Sequence, residues 1–182
     1  IVRVRMRPLT LAERGLEVPT VSMAALLRGD RAPLQGHTGV GITDYVDEIL
    51  TGGFPGMRTT SPRLQRRALD GYLDRIADAD LPELGVRVRN PGTLRRWMAA
   101  YAAATSSTAS FESIRDAATG GFGEKPAKST TIPYREALER LWILEPVGPW
   151  IPSSNALSRL TQAPKHHLAD PALAARLVGA DR

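Results

Sequence analysis

The side chains able to do chemistry in this sequence are few, and their spacing keeps them apart. His166 and His167 are neighbours in "PKHHLAD". Adjacent residues of an extended chain face opposite ways, so the two rings cannot converge on one metal ion. Asp170 is close by, but an Asp directly before Pro171 suits the cap of a helix. His37 sits in a glycine-rich loop without ligand neighbours, and the chain has no cysteine for a thiolate site or a disulfide. "GGFPG" at 52–56 and "GGFG" at 120–123 are not the G-x-x-x-x-G-K-[ST] phosphate loop, and Lys128-Ser129 lacks the upstream glycine at the required distance. The carboxylates of "TLAER" and "DYVDE" have no paired, cleft-like setting and belong on solvated faces. No Ser/His/Asp set can be assembled. The sequence therefore nominates no catalytic, cofactor-binding or metal-binding residue.

What remains is arginine. Arg58, Arg63, Arg66 and Arg67 form one group, and Arg87, Arg89, Arg95 and Arg96 another. Each is a candidate contact for nucleic acid, a nucleotide phosphate or an acidic partner. Each could equally be a solvated helix face, or pair with Asp70, Asp74, Asp78 and Asp80. Arg outnumbers Lys 21 to 3 within a net charge of +5. Arginine suits bidentate anion contacts, but the same bias arises in a GC-rich genome.

The 182 residues can form one domain or two small ones, and 42% hydrophobic with 24% charged residues is an ordinary globular composition. No apolar run approaches the roughly 18 residues of a membrane span. The opening "IVRVRMRPLT" has neither an initiator Met nor the apolar core of a signal peptide. A cytoplasmic protein with no membrane partner is expected.

The elements that must position these residues are mostly helical. Residues 1–8 alternate Val2, Val4, Met6 with Arg3, Arg5, Arg7, the period of a strand, closed by Pro8. A strand with no partner nearby suggests a piece cut from a sheet, hence an internal stretch of a longer protein. "PLTLAERG" predicts one or two helical turns ending at Gly15, and "VSMAALLRGD" a short helix between Ser22 and Gly29. In "GITDYVDEILTGGFPG", Ile42, Tyr45, Val46, Ile49 and Leu50 make an apolar stripe, with Thr43 as cap and Gly52-Gly53 as terminator. "SPRLQRRALDGYLDRIADAD" starts at Ser61-Pro62 and should bury Leu64, Ala68, Leu69, Tyr72, Leu73 and Ile76, with Pro82 ending it. "NPGTLRRWMAAYAAAT" should bury Leu94, Trp97, Met98 and Tyr101.

Residues 110–151 have the outline of a winged helix. Ser110 caps a helix bearing Phe111, Ile114 and Ala118. Ser129 or Thr130 caps a second, with Tyr134, Ala137, Leu138 and Leu141 inside, and "EPVGP" closes a hairpin between Ile143 and Ile151. A short strand through His166 to Leu168 and a helix capped by Asp170 follow. The charges argue against DNA on this unit: five basic residues face six acids between Ser110 and Ile151. Glu136 and Glu139 share the outer helix face with Arg135 and Arg140, and Glu145 occupies the wing, where phosphate binding needs Lys or Arg.

The pieces "RMRPLTLAERG", "YVDEILTGGFPGMR", "LDGYLDRIADADLPELG", "KSTTIPYREALERLWILEPVGPW" and "PKHHLADPALAARLVG" resemble bacterial AAA-type (P-loop) ATPases whose nucleotide-binding module is followed by a domain of unknown function. Gly-Gly-Phe-Pro at 52–55 and Pro-Lys-(x)4-Asp ending at Asp170 are the most specific parts. The resemblance implies that residues 1–15 end the ATPase module, 16–109 form a helical domain, 110–151 the winged-helix-like unit, and 152–182 a linker, short strand and helix leading to a nuclease-like C-terminal domain. It implies ATP and Mg for the parent protein and none for this stretch, which lacks the phosphate loop. A mainly α fold follows, whose role is non-catalytic: coupling nucleotide state to a partner, the neighbouring domains or another copy. A nucleic-acid-binding module is the alternative.

Overall fold

A computed structural model describes residues 5–31, 33–119, 125–150 and 162–181. Their architecture is mainly helical: α1 (Met23–Leu27), α2 (Ile42–Thr51), α3 (Pro55–Arg58), α4 (Pro62–Arg75), α5 (Leu81–Glu83), α6 (Pro91–Ala103), α7 (Phe111–Ala117), α8 (Lys128–Arg140) and α9 (Pro171–Val178). None of the described helices is long and apolar enough to cross a membrane.

The core is built around α6. Asn90 caps it by accepting from the Thr93 N–H at 3.1 Å, and Pro91 supplies the fixed φ of a first turn. Leu94, Trp97, Met98 and Tyr101 then recur at helical spacing, and all four are buried. Against them pack α7 through Ile114, α8 through Tyr134, Ala137 and Leu138, and α9 through Ala172 and Leu173. These faces follow the sequence expectation, as do the caps at Ser22, Ser110 and Asp170.

Elsewhere the structure corrects it. Along α4 and into the turn after it the buried line is Gln65, Leu69, Leu73 and Ile76, whereas Leu64 and Ala68 are exposed. Gln65 can be buried because its amide donates to the Thr51 carbonyl. Pro82 does not end this helix. A π-helical turn over Ile76–Asp80 carries the chain into α5, and Gly85 at φ +80° closes the run. A wide turn there keeps the proline ring off the preceding carbonyl that an α-turn would press against it. Helix α2 is capped at Gly41, whose N–H reaches the Asp44 carboxylate at 2.8 Å, and not at Thr43. Its apolar stripe is not buried: Ile42, Tyr45, Val46 and Ile49 are all exposed. Helix α8 starts at Lys128 after Ala127, one residue before Ser129, and runs through Pro133.

The expected hairpin between Ile143 and Ile151 does not close at "EPVGP". Val147 exchanges backbone hydrogen bonds with Lys165 (2.8 and 2.9 Å), Glu145 N–H donates to the His167 carbonyl, and Ala169 N–H to that of Ile143. On its other side the same segment bonds Ser106 and Ser107 through His166. Among the described residues these contacts are isolated bridges and not strands. Ile151, and the glycine turn at 120–124, lie outside the described residues. So do Val2, Arg3 and Val4 of the expected opening strand. Its remainder, Arg5 to Pro8, has no regular structure, and Met6 is exposed.

Candidate functional site

The two most specific sequence pieces, the double glycine and Asp170, meet in space. Gly53 N–H donates to Asp170 Oδ2 at 2.6 Å, and Ala172 N–H donates to Oδ1 at 2.8 Å. Asp170 is completely buried. Burial pushes its carboxyl above the usual range, and the two N–H donors pull less strongly the other way. Gly52 has φ +69°, and a Cβ there would lie 2.7 Å from the Ala172 Cβ and nearer still to Asp170. A Cβ on Gly53 would lie 2.6 Å from the Leu9 carbonyl oxygen. Both glycines are thus required by close approach.

Leu9 belongs to an arm, residues 5–15, that docks on this point. Its N–H donates to the Gly53 carbonyl at 2.8 Å. Thr10 caps the following turn by exchanging hydrogen bonds with Glu13. That turn aims Arg14 inward, where its side chain is only 6% exposed. Arg14 Nε donates to the Leu9 carbonyl at 2.7 Å, and Nη1 to Glu48 Oε2 at 3.0 Å. Arg58 grips both Glu48 oxygens (2.7 and 3.0 Å) and the Gly52 carbonyl. The Arg58 hydrogen bonds, assisted by Arg14, hold Glu48 below its ordinary value. Arg14, Glu48, Arg58 and Asp170 form a partly buried clasp for the arm. Nothing in the sequence pairs Arg14 with Glu48, 34 positions away.

The two arginine groups do not form two surfaces. Arg58 is consumed in the clasp. Arg66 pairs with Asp181 at 3.0 Å, and Arg95 with Asp70 and Asp74. Asp70 also takes Arg176, whose two bonds are the main reason its carboxyl is held low. Arg96 donates to Thr93. Arg63 and Arg67 stand on the exposed side of α4, and they, Arg87 and Arg89 make no ion pair among the described residues. Arg87 and Arg89 share a concavity, a cleft of about 570 Å³ also lined by Asn90, Thr93, Ser129 and Thr130.

On α8, Arg135 lies over the Phe111 ring at 4.4 Å and 3.7 Å from Glu139. Glu145 is not left to repel a partner, since Arg5 (3.2 Å) and Arg7 cover it. Lys125 and Lys128 are drawn onto Glu112, whose carboxyl Lys125 and Arg115 hold down at about 2. His166 is buried, with Nδ1 3.2 Å from Tyr101 Oη and Nε2 2.7 Å from the Ala109 carbonyl oxygen. Its ring meets Tyr101 and Phe111 edge-on, a packing role, and His167 is not with it. Among the described residues no three His, Asp or Glu side chains converge as metal ligands.

A family profile described as a domain of unknown function (DUF8612) matches residues 42–182. No curated protein and no solved structure matches the chain. The chain belongs to the DUF8612 family.

Proposed function

We propose, with membership of DUF8612 as the premise, that this chain is a non-catalytic interaction domain that transmits the state of a preceding segment to a partner, a neighbouring domain or another copy. The observation that carries this reading is the clasp. The arm at 5–15 enters the helical body through a nearly buried arginine and two glycines rather than a loose linker. A movement upstream would therefore pull on α2, α3 and α9 together. The resemblance to AAA-type ATPases supplies the upstream module, with ATP and Mg as its ligands, and a cytoplasmic setting.

The experiment is hydrogen exchange on the parent protein with and without nucleotide. Nucleotide should alter protection within residues 42–182, and Arg14→Ala should abolish that change without abolishing nucleotide binding. Exchange in 42–182 that ignores nucleotide would sink the reading.

The second reading is a winged-helix module for nucleic acid. It is favoured by the order α6, pairing at Thr105, α7, α8, and the two paired segments 143–147 and 165–169. It is disfavoured by Glu136 and Glu139 on α8 and by the pairing of Lys125, Lys128 and Arg135 with acids. Absence of duplex binding at about 50 mM salt would eliminate it.

A further inference from the structure

The cleft between residues 85–93 and α8 brings together two arginines that make no ion pair among the described residues. Its origin is local. In "GVRVRN", Val86 and Val88 pack against the core, so the alternation of an extended chain turns Arg87 and Arg89 outward on a common side. Their Cα atoms stand about 7 Å apart, two extended residues. Both residues line the cleft together with Asn90, Thr93, Ser129 and Thr130, and no acidic residue is among its lining. Arg58, Arg66, Arg95 and Arg176 all spend their charge on acids of this chain. Arg87 and Arg89 do not. Two guanidinium forks beside neutral hydrogen-bonding groups match the oxygens of phosphoryl groups, which accept several donors at once.

We infer that this cleft is a binding site for a phosphate-bearing ligand, gripped by Arg87 and Arg89. The shared chemistry is the phosphoryl oxyanion. Its source is a free phosphate compound or the backbone of a nucleic acid, and the arms of the test separate them. The site is independent of the coupling role proposed above, which is read by hydrogen exchange.

The test is isothermal titration of the whole chain with pyrophosphate, with inorganic phosphate and a duplex oligonucleotide as separate arms. Saturable binding is expected in at least one arm. It should weaken at least about tenfold in Arg87→Ala/Arg89→Ala, the loss of two charge-assisted contacts. Arg87→Gln/Arg89→Gln, which keeps more of the side-chain bulk, should behave alike, and circular dichroism should show both variants folded because both residues are exposed. Arg63→Ala/Arg67→Ala removes the same charge from a surface outside the cleft and should bind as the unaltered chain does. Binding of pyrophosphate or phosphate without duplex assigns a free phosphate ligand. Duplex binding that the cleft variants lose and the α4 variant keeps assigns a nucleic-acid backbone. No saturable binding in any arm, or equal loss in the α4 variant, overturns the proposal.

Discussion

Gly53 and Asp170 are joined by a 2.6 Å hydrogen bond from backbone N–H to a completely buried carboxylate. Asp170 does two jobs with two oxygens: one caps α9, and the other fixes the turn after α2. Removing it strips a cap and leaves a buried donor unmet. Asp170→Ala should therefore cost about 2–4 kcal/mol, combining the two effects. Gly52→Ala should cost at least about 2 kcal/mol, since it faces both a positive φ and a collision with Asp170 and Ala172. Urea denaturation of each variant checks both. Wild-type stability in either would mean that the contact is not maintained in solution.

Acid should loosen two arginine–carboxylate contacts, that of Glu48 in the clasp and that of Asp70, which ties α4 to α6 and α9. Glu48 and Asp70 are held below their ordinary values of 4.5 and 3.8 by arginines. The stability they contribute is complete above those values and disappears as pH falls through the lowered folded-state values. Asp170 runs the other way: raised by burial, it contributes below its unfolded value and loses that contribution as pH rises through the folded one. With Glu13 and Glu112 also held low, the lowered carboxyls outnumber the raised Asp170, and the chain weakens as pH falls below the ordinary carboxylate value of 4.5. Glu48→Gln should flatten this acid limb and cost about 1–3 kcal/mol at neutral pH. Thermal melts across that range provide the measurement, and an unchanged limb in the variant would refute the assignment.

His166 should prove structural. Its two ring nitrogens reach the Tyr101 hydroxyl and the Ala109 carbonyl. Burial of that phenol, with Glu139 nearby, holds it up at about 12. His166→Phe keeps the edge-on ring contacts but removes both hydrogen bonds. It should destabilise the chain by about 1–3 kcal/mol, the cost of stranding buried polar groups. The tyrosine absorbance titration reports whether Tyr101 has become accessible. No loss of stability would show that water replaces the histidine there.

The helices whose caps and apolar positions agree were legible in the sequence. In α6 and α9, Asn90-Pro91 and Asp170-Pro171 announce the start and the buried residues keep helical spacing. On α4 the register slipped, because hydropathy favours Leu64 while the structure buries Gln65 by satisfying its amide with Thr51. Pro82 misled because the π turn that accommodates it leaves no local signature. The hairpin misled because the partner of residues 143–147 is a segment some twenty positions on, not the adjacent "EPVGP". For the site, the glycines and Asp170 were singled out, but not their contact. Of the eight candidate arginines, Arg95 pairs with Asp70 and Asp74, two of the partners the sequence offered, whereas Glu48 for Arg58 and Asp181 for Arg66 were not among them.

The bond between Gly53 and Asp170 bridges 117 positions of chain. Closing so long a loop adds little entropy beyond that of a shorter one, but contacts this distant form slowly. During synthesis the arm leaves the ribosome well before Asp170, yet its seat is finished only once Asp170 has emerged. Residues 5–15 would be made early and locked late, leaving a window in which a chaperone or a second nascent chain can reach them.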